Sequence, residues 1–335
     1  MISKTETKQL QGVAILAMLC LHLFCTRTPA FTPLLYIGDL PLTYFIGQAG
    51  DCCVMIYCFC SGYGLMASYL SLGGNGKEYL TGRKNGVFRL LKSYWTILML
   101  FAMVSLLLGK SDEWLGSPIV FLKNFLVFGS SYNGAWWFVG VYLLMVLFSP
   151  LILKAVQRHP MIAALAAVLV YIGSYFLRFR YEGFWIQKVS LLGMSYAELL
   201  VGAYFCKYDI MTRIEKGYSR ILPKKLRVVI LTMVVAAVIF VRGYIPTLFV
   251  APISGLIFIV CYLLAVRQGV PLQKGFSFLG KHSINIWLIH MFFYMPMYGG
   301  LAYYGKYPVF VLAILLGMCV MVSAGIFGLQ SKLKF

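Results

Sequence analysis

Few side chains in this sequence can take or give a proton within its apolar stretches: His22, Asp51, Glu198 and His290, with His282 near the edge of one of them. An ionisable group at lipid depth costs several kcal/mol unless it faces a protein interior or a wet cavity, so each is a functional candidate. A neutral imidazole, which titrates near pH 6.5, can take or give a proton near neutral pH. His22 stands near the end of GVAILAMLCLHLF, residues 12–24, about 18 Å along a helix from residue 10. Gln11 lies eleven positions earlier, and eleven steps of 100° leave about 20°, so both project from one face. Ser283, Trp287 and His290 likewise share a face in FLGKHSINIWLIHMFFY, with His290 about 20 Å from the start of that stretch. In RLLKSYW, Arg89 and Lys92 sit one helical turn apart, and two cations at a helix start suit a phosphate-bearing ligand. Structural readings stand beside these. A hydrogen bond to a neighbouring helix accounts for either histidine, packing accounts for Trp287, and snorkelling anchors account for Arg89 and Lys92.

The elements that must position these groups are membrane helices. Of 335 residues 61% are hydrophobic and 12% charged, against about a quarter charged in soluble domains. A hydrocarbon layer about 30 Å thick needs about 20 apolar residues in a helix, because backbone groups without water must pair within their own segment. Stretches of that kind fall at 10–28, 43–70, 87–108, 136–153, 160–177, 189–206, 227–243, 245–266, 277–298 and 308–328, about ten spans in all. The expected fold is an all-α polytopic membrane protein with one transmembrane domain over 1–335 and no separate soluble domain.

The formal net charge of +19 raises the question of nucleic acid. Alternate sides of the spans answer it: one side collects most of the 29 Lys and Arg, whereas the other holds only Arg27, Lys110, Lys123, Arg178, Arg180, Lys188, Arg242 and Lys306. The positive-inside rule then puts both termini in the cytoplasm, and cytoplasmic loops beside anionic headgroups account for the basicity. No polar domain is left to bind nucleic acid. The nine cysteines lie almost wholly inside the spans without zinc-site spacing, and read as small packing residues rather than metal ligands. The polar connector KYDIMTRIEKGYSRILPKKLR, 207–227, is read as a cytoplasmic loop too short to be a domain. No cleavage site follows the first span, which is expected to be retained.

Over essentially its whole length the chain resembles the bacterial membrane acyltransferase 3 family. The first span is similar to the family's opening pattern, a basic residue, ten positions and then histidine, with His22 on the histidine. VMIYCFCSGYGL, 54–65, resembles its run ending in Ser-Gly-aromatic; AWWFVGVYLLMVLFSPLI, 135–152, resembles its Trp-Phe helix ending in Pro. Arg89 and Lys92 fall on its R-x-x-R pair, and LGKHSINIWLIH, 279–290, on its late Ser-to-His helix. Gln11 stands where the family has Arg, Lys92 replaces the second Arg, and Met55 takes the place of its usual acidic residue. Lys8, one turn before Gln11, is a candidate substitute for the missing charge.

The resemblance implies transfer of an acyl group, most often acetyl, from a cytoplasmic acyl-CoA to a hydroxyl of a cell-surface polysaccharide or lipid-linked sugar, in a multi-pass protein of the bacterial plasma membrane. His22 is expected as general base with Glu198, about 12 Å from the inner end of its span, as its orienter. Gln11, Arg89, Lys92, Ser283 and His290 are expected on the donor, and Asp51 and Trp137 on the acceptor. Acyl-CoA is a co-substrate; no permanently bound cofactor is expected. The competing class is a proton-coupled small-solute transporter, in which the same buried carboxyls and imidazoles relay protons.

Overall fold

A computed structural model describes residues 1–221, 223–269 and 271–332; Lys334, counted above among the basic residues, lies outside them. The helices are α1 (Lys4–Phe24), α2 (Leu42–Ala49), α3 (Cys53–Ser71), α4 (Gly76–Leu107), α5 (Ser111–Trp114), α6 (Pro118–Phe125), α7 (Trp137–Arg158), α8 (Pro160–Arg180), α9 (Phe184–Tyr208), α10 (Ile210–Ile221), α11 (Lys224–Tyr244), α12 (Ala251–Arg267), α13 (Gln273–Ile289), α14 (Met291–Tyr294) and α15 (Pro308–Lys332). The described strands form one short antiparallel hairpin, Tyr36–Ile37 with Leu40–Pro41. Among the described residues eight helical segments are long and apolar enough to cross a membrane, and the 17-residue α12 is a shorter apolar helix. The protein is an all-α, multi-pass membrane protein.

The chain separates into two compact units. The first comprises 1–29, 33–80 and 147–281; the second comprises 30–32, 81–146 and 282–335. In the first, α3 and α9 form the most extensive helix pair; α1 and α12 pack on α3, α8 packs on α9, and α2 packs on α1 and α11. Its core is apolar: Leu10, Ile15 and Leu19 of α1, Met55, Ile56 and Phe59 of α3, Leu199 and Ala203 of α9, and Ile259 and Leu263 of α12 are all buried. The core of the second unit gathers Tyr94, Leu98, Trp136, Val139, Ile286, Leu288, Leu315 and Cys319. Outward faces are apolar too. Along α8, Met161, Ile162, Leu165 and Leu169 are exposed, a surface that water would penalise and acyl chains do not.

Several boundaries differ from the sequence reading for local reasons. The first helix begins at Lys4 because Ser3 and Glu6 form a capping box: the Ser3 hydroxyl accepts from the Glu6 amide at 3.1 Å, and the Ser3 amide donates to the Glu6 carboxylate at 2.7 Å. It ends at Phe24 with Cys25 as its cap; Pro29, which disfavours helical backbone at Thr28, bars a helix that runs to 28. The stretch 277–298 is α13 followed by α14. The Phe293 amide reaches back only three residues, to the His290 carbonyl at 3.1 Å, which tightens the turn between them. The connector 207–227 is largely the amphipathic helix α10, whose Met211 is buried. That helix was readable in the spacing of Ile210, Ile214, Tyr218 and Ile221, but charge outweighed periodicity in the sequence reading.

Candidate active site

Within the first unit the polar side chains depend on close helix crossings. At Gly62 of α3 a Cβ would stand 1.8 Å from the Leu199 carbonyl oxygen, and at Gly202 of α9 one would stand 2.1 Å from that of Phe59. Only glycine permits this approach from both sides. One turn back along each helix the crossing sets Cys58 against Glu198. The Glu198 carboxyl is 6% exposed. The polar groups acting on it are the Cys58 thiol, which also meets Ser195, and the Asp51 carboxyl. Glu198 Oε2 has no hydrogen-bond partner among the described residues.

Asp51 sits in the tight turn between α2 and α3 and is 8% exposed. It pairs with Arg242 near the end of α11, which is 1% exposed. The guanidinium also donates to the carbonyls of Ile245 at 2.7 Å and Thr247 at 2.8 Å, and to that of Gln48 at 3.5 Å. Gln48 in turn donates to the Cys25 carbonyl at 2.9 Å. Arg242 thereby joins the loop after α11, the end of α2 and the end of α1. Asp51 Oδ1 and Arg242 Nε keep no protein partner among the described residues, so the pair retains an acceptor and a donor.

Against this same region runs α1. A Cβ on Gly50 would meet the Ala17 carbonyl at 2.3 Å and the Leu21 amide at 2.9 Å. His22 follows Leu21 and Asp51 follows Gly50, so the two residues lie next to a backbone contact between α1 and the Asp51 turn. His22 is partly exposed, neither sealed in the core nor fully in the open. Toward the other end of α1, Lys8 Nζ donates to Gln11 Oε1 at 3.1 Å. A cation is therefore joined to the position where the family has arginine. The same end carries a cluster in which Arg267 binds Glu6, with Nε at 2.6 Å and Nη2 at 3.3 Å, and Glu215 at 2.6 Å.

The second unit holds the remaining candidates. Arg89 is exposed and Lys92 half-buried on α4. Trp137 opens α7 and packs edge-on against Phe138. Ser283 and His290 are buried. His290 Nδ1 lies 2.8 Å from the Trp287 carbonyl, which requires the proton on that nitrogen, and the ring stacks on Tyr294. Trp287 donates from its indole to the Ala135 carbonyl at 3.1 Å and packs edge-on against Phe138. His282 Nδ1 is 2.9 Å from the Ser323 hydroxyl, to which Asn285 also donates.

Sequence reasoning missed two of these groups. Arg242 was counted among the cations of an outer connection, although an arginine on the side that cations avoid is itself a signal of a buried partner. Cys58 looks like the other cysteines, a packing residue, and no spacing in the sequence ties it to Glu198.

A buried carboxyl beside a thiol, a carboxylate and guanidinium with atoms to spare, and a partly exposed imidazole in the same unit can bind hydroxyl groups and move a proton. No curated protein and no solved structure matches the chain. The sequence profile of an acyltransferase domain matches residues 8–327, nearly the whole chain and parts of both units. The protein belongs to the acyltransferase 3 family and is a membrane acyltransferase.

Proposed function

We propose that the protein transfers an acetyl group from a cytoplasmic acyl-CoA to a hydroxyl of a cell-surface polysaccharide or lipid-linked sugar in the bacterial plasma membrane. His22 takes the proton of the acceptor hydroxyl as its oxygen attacks the thioester carbonyl carbon. Collapse of the tetrahedral adduct breaks the C–S bond, and the imidazolium returns the proton to the leaving thiolate. Asp51 and Arg242 hold the acceptor through the oxygen and nitrogen that their mutual pairing leaves over. Glu198 acts as the orienter of the His22 imidazole rather than by touching the donor. Arg89 and Lys92, with the Lys8–Gln11 pair, bind donor phosphates; Lys92 does so as a point charge without arginine's bidentate fork. Ser283 and His290 belong to the donor side and Trp137 to the acceptor side.

The observation that carries this reading is the partly exposed His22, next in sequence to the Leu21 that meets the Asp51 turn, in a chain of this family. The test uses purified full-length protein in vesicles with acetyl-labelled CoA and surface glycan. Stable label on the glycan is the expected result. Uptake of solute driven by a proton gradient, with no acylation, supports the transporter instead.

A further inference from the structure

A groove of about 550 Å³ opens in the first unit between the loop joining α3 to α4 and the last turns of α7. Its polar lining comes from Tyr69, Lys154, Gln157 and Arg158, and Gly73 and Gly74 form one wall. None of the residues lining it is acidic. Lys154 and Arg158, four residues apart, share one face of α7. Both are exposed, and among the described residues neither forms an ion pair. The carbonyls that end α7 would disfavour an anion, but Lys207 covers those of Val156 and Gln157 at 2.7 and 3.1 Å.

A second observation points to a ligand. Tyr69 is 2% exposed and held edge-on by Tyr79, yet its hydroxyl has no hydrogen-bond partner among the described residues. That hydroxyl lies 3.5 Å from where a Cβ on Gly74 would stand, and Gln157 Oε1 lies 3.1 Å from the same point. Gly74 has φ +81, a conformation that glycine adopts freely, and a side chain there would intrude on the groove. The amides of Gly73, Gly74 and Asn75 are consumed within the loop by Leu70, Tyr69 and Leu72. What the groove offers is therefore two cations and a phenol as side-chain donors, with the Gln157 carboxamide at its wall. Its volume falls in the range of small-molecule sites, about 300–1,000 Å³.

We propose that this groove binds a phosphate ester, with Lys154 and Arg158 neutralising the anion and Tyr69 donating to one of its oxygens. The nucleotide end of acyl-CoA or the headgroup of an anionic phospholipid supplies that chemistry. The first source rests on the acyl-transfer reading above; the second does not. Lys154→Gln/Arg158→Gln full-length protein in detergent is compared with wild type by calorimetric titration of adenosine 3′,5′-bisphosphate and by native mass spectrometry of retained phosphatidylglycerol. Both charges lost in the Gln variant make charge-assisted hydrogen bonds to the anion, so at least about a tenfold weakening is expected for one of the probes. Loss for the nucleotide alone identifies the donor, and loss for the lipid alone identifies the headgroup. Lys154→Arg/Arg158→Lys, which keeps both charges, retains binding, and Lys84→Gln/Lys216→Gln, which removes two exposed charges elsewhere, leaves it unchanged. Undiminished binding of both probes by the Gln variant, or equal weakening by the Lys84/Lys216 variant, overturns the proposal. Neither readout needs turnover, so a wild-type protein that transfers no acetyl group sinks the acyl-transfer reading without touching this result.

Discussion

Arg242 shows what a single side chain does here. Charge removed from water is stable only when paired and hydrogen-bonded, and Arg242 meets Asp51 and three backbone carbonyls at 1% exposure. Taking away one partner leaves the other as an uncompensated buried charge, at a cost of about 3–5 kcal/mol. Asp51→Ala and Arg242→Ala should each lower the thermal midpoint of the purified protein sharply. Replacing both with apolar residues of similar volume should restore much of the stability but none of the acceptor affinity. A double variant whose midpoint falls by the sum of the two single shifts would mean that the pair is not coupled. The candidates visible in the sequence at this scale were those whose chemistry is out of place in lipid: His22, Asp51, Glu198 and His290. Arg242 escaped because a cation at a span end reads as an interfacial anchor. Cys58 escaped because a thiol is at home in a core, and its nearness to Glu198 arises only from the crossing of α3 with α9.

At the scale of elements, that crossing is the joint on which the first unit depends. Gly62→Val would push side-chain atoms into the Leu199 carbonyl, 1.8 Å from the first added carbon, and should yield little folded protein. Gly64→Ala, two residues on and facing open space, should express and melt like wild type. The comparison is read from monodisperse yield in detergent; indistinguishable yields would remove the crossing as the reason Glu198 sits where it does. Helix ends obeyed rules the sequence displayed in plain letters, the Ser3–Glu6 capping box and Pro29 among them, yet hydropathy located only the apolar centres of α1 and α13. Hydropathy averages over about 19 residues and is blind to a one-residue cap or a tightened turn. The amphipathic α10 was hidden for a related reason, since its charged face dominates any average.

For the whole molecule, composition alone specified a multi-pass helical membrane protein, because lipid leaves the backbone few alternatives. The family was legible from motif order along the chain, and the profile match over residues 8–327 bears it out. The division into two units was not legible: α4, α7 and α13 each contribute residues to both, so no linker or change in composition marks it. Donor recognition belongs to this scale, since the proposed phosphate-binding cations are spread along the chain. Arg89→Gln/Lys92→Gln should raise the KM for acetyl-CoA at least about tenfold, by loss of charge-assisted hydrogen bonds, with kcat little altered. An unchanged KM would reassign both residues to anchoring at the membrane surface.

The acyl-transfer account turns on the imidazole of His22. Its most direct test is the rate of label transfer from acetyl-labelled CoA to glycan by His22→Ala protein present in the membrane at wild-type abundance. The account predicts a fall of at least about 100-fold with the KM for acetyl-CoA unchanged, as for removal of a general base. Transfer at the wild-type rate would contradict it.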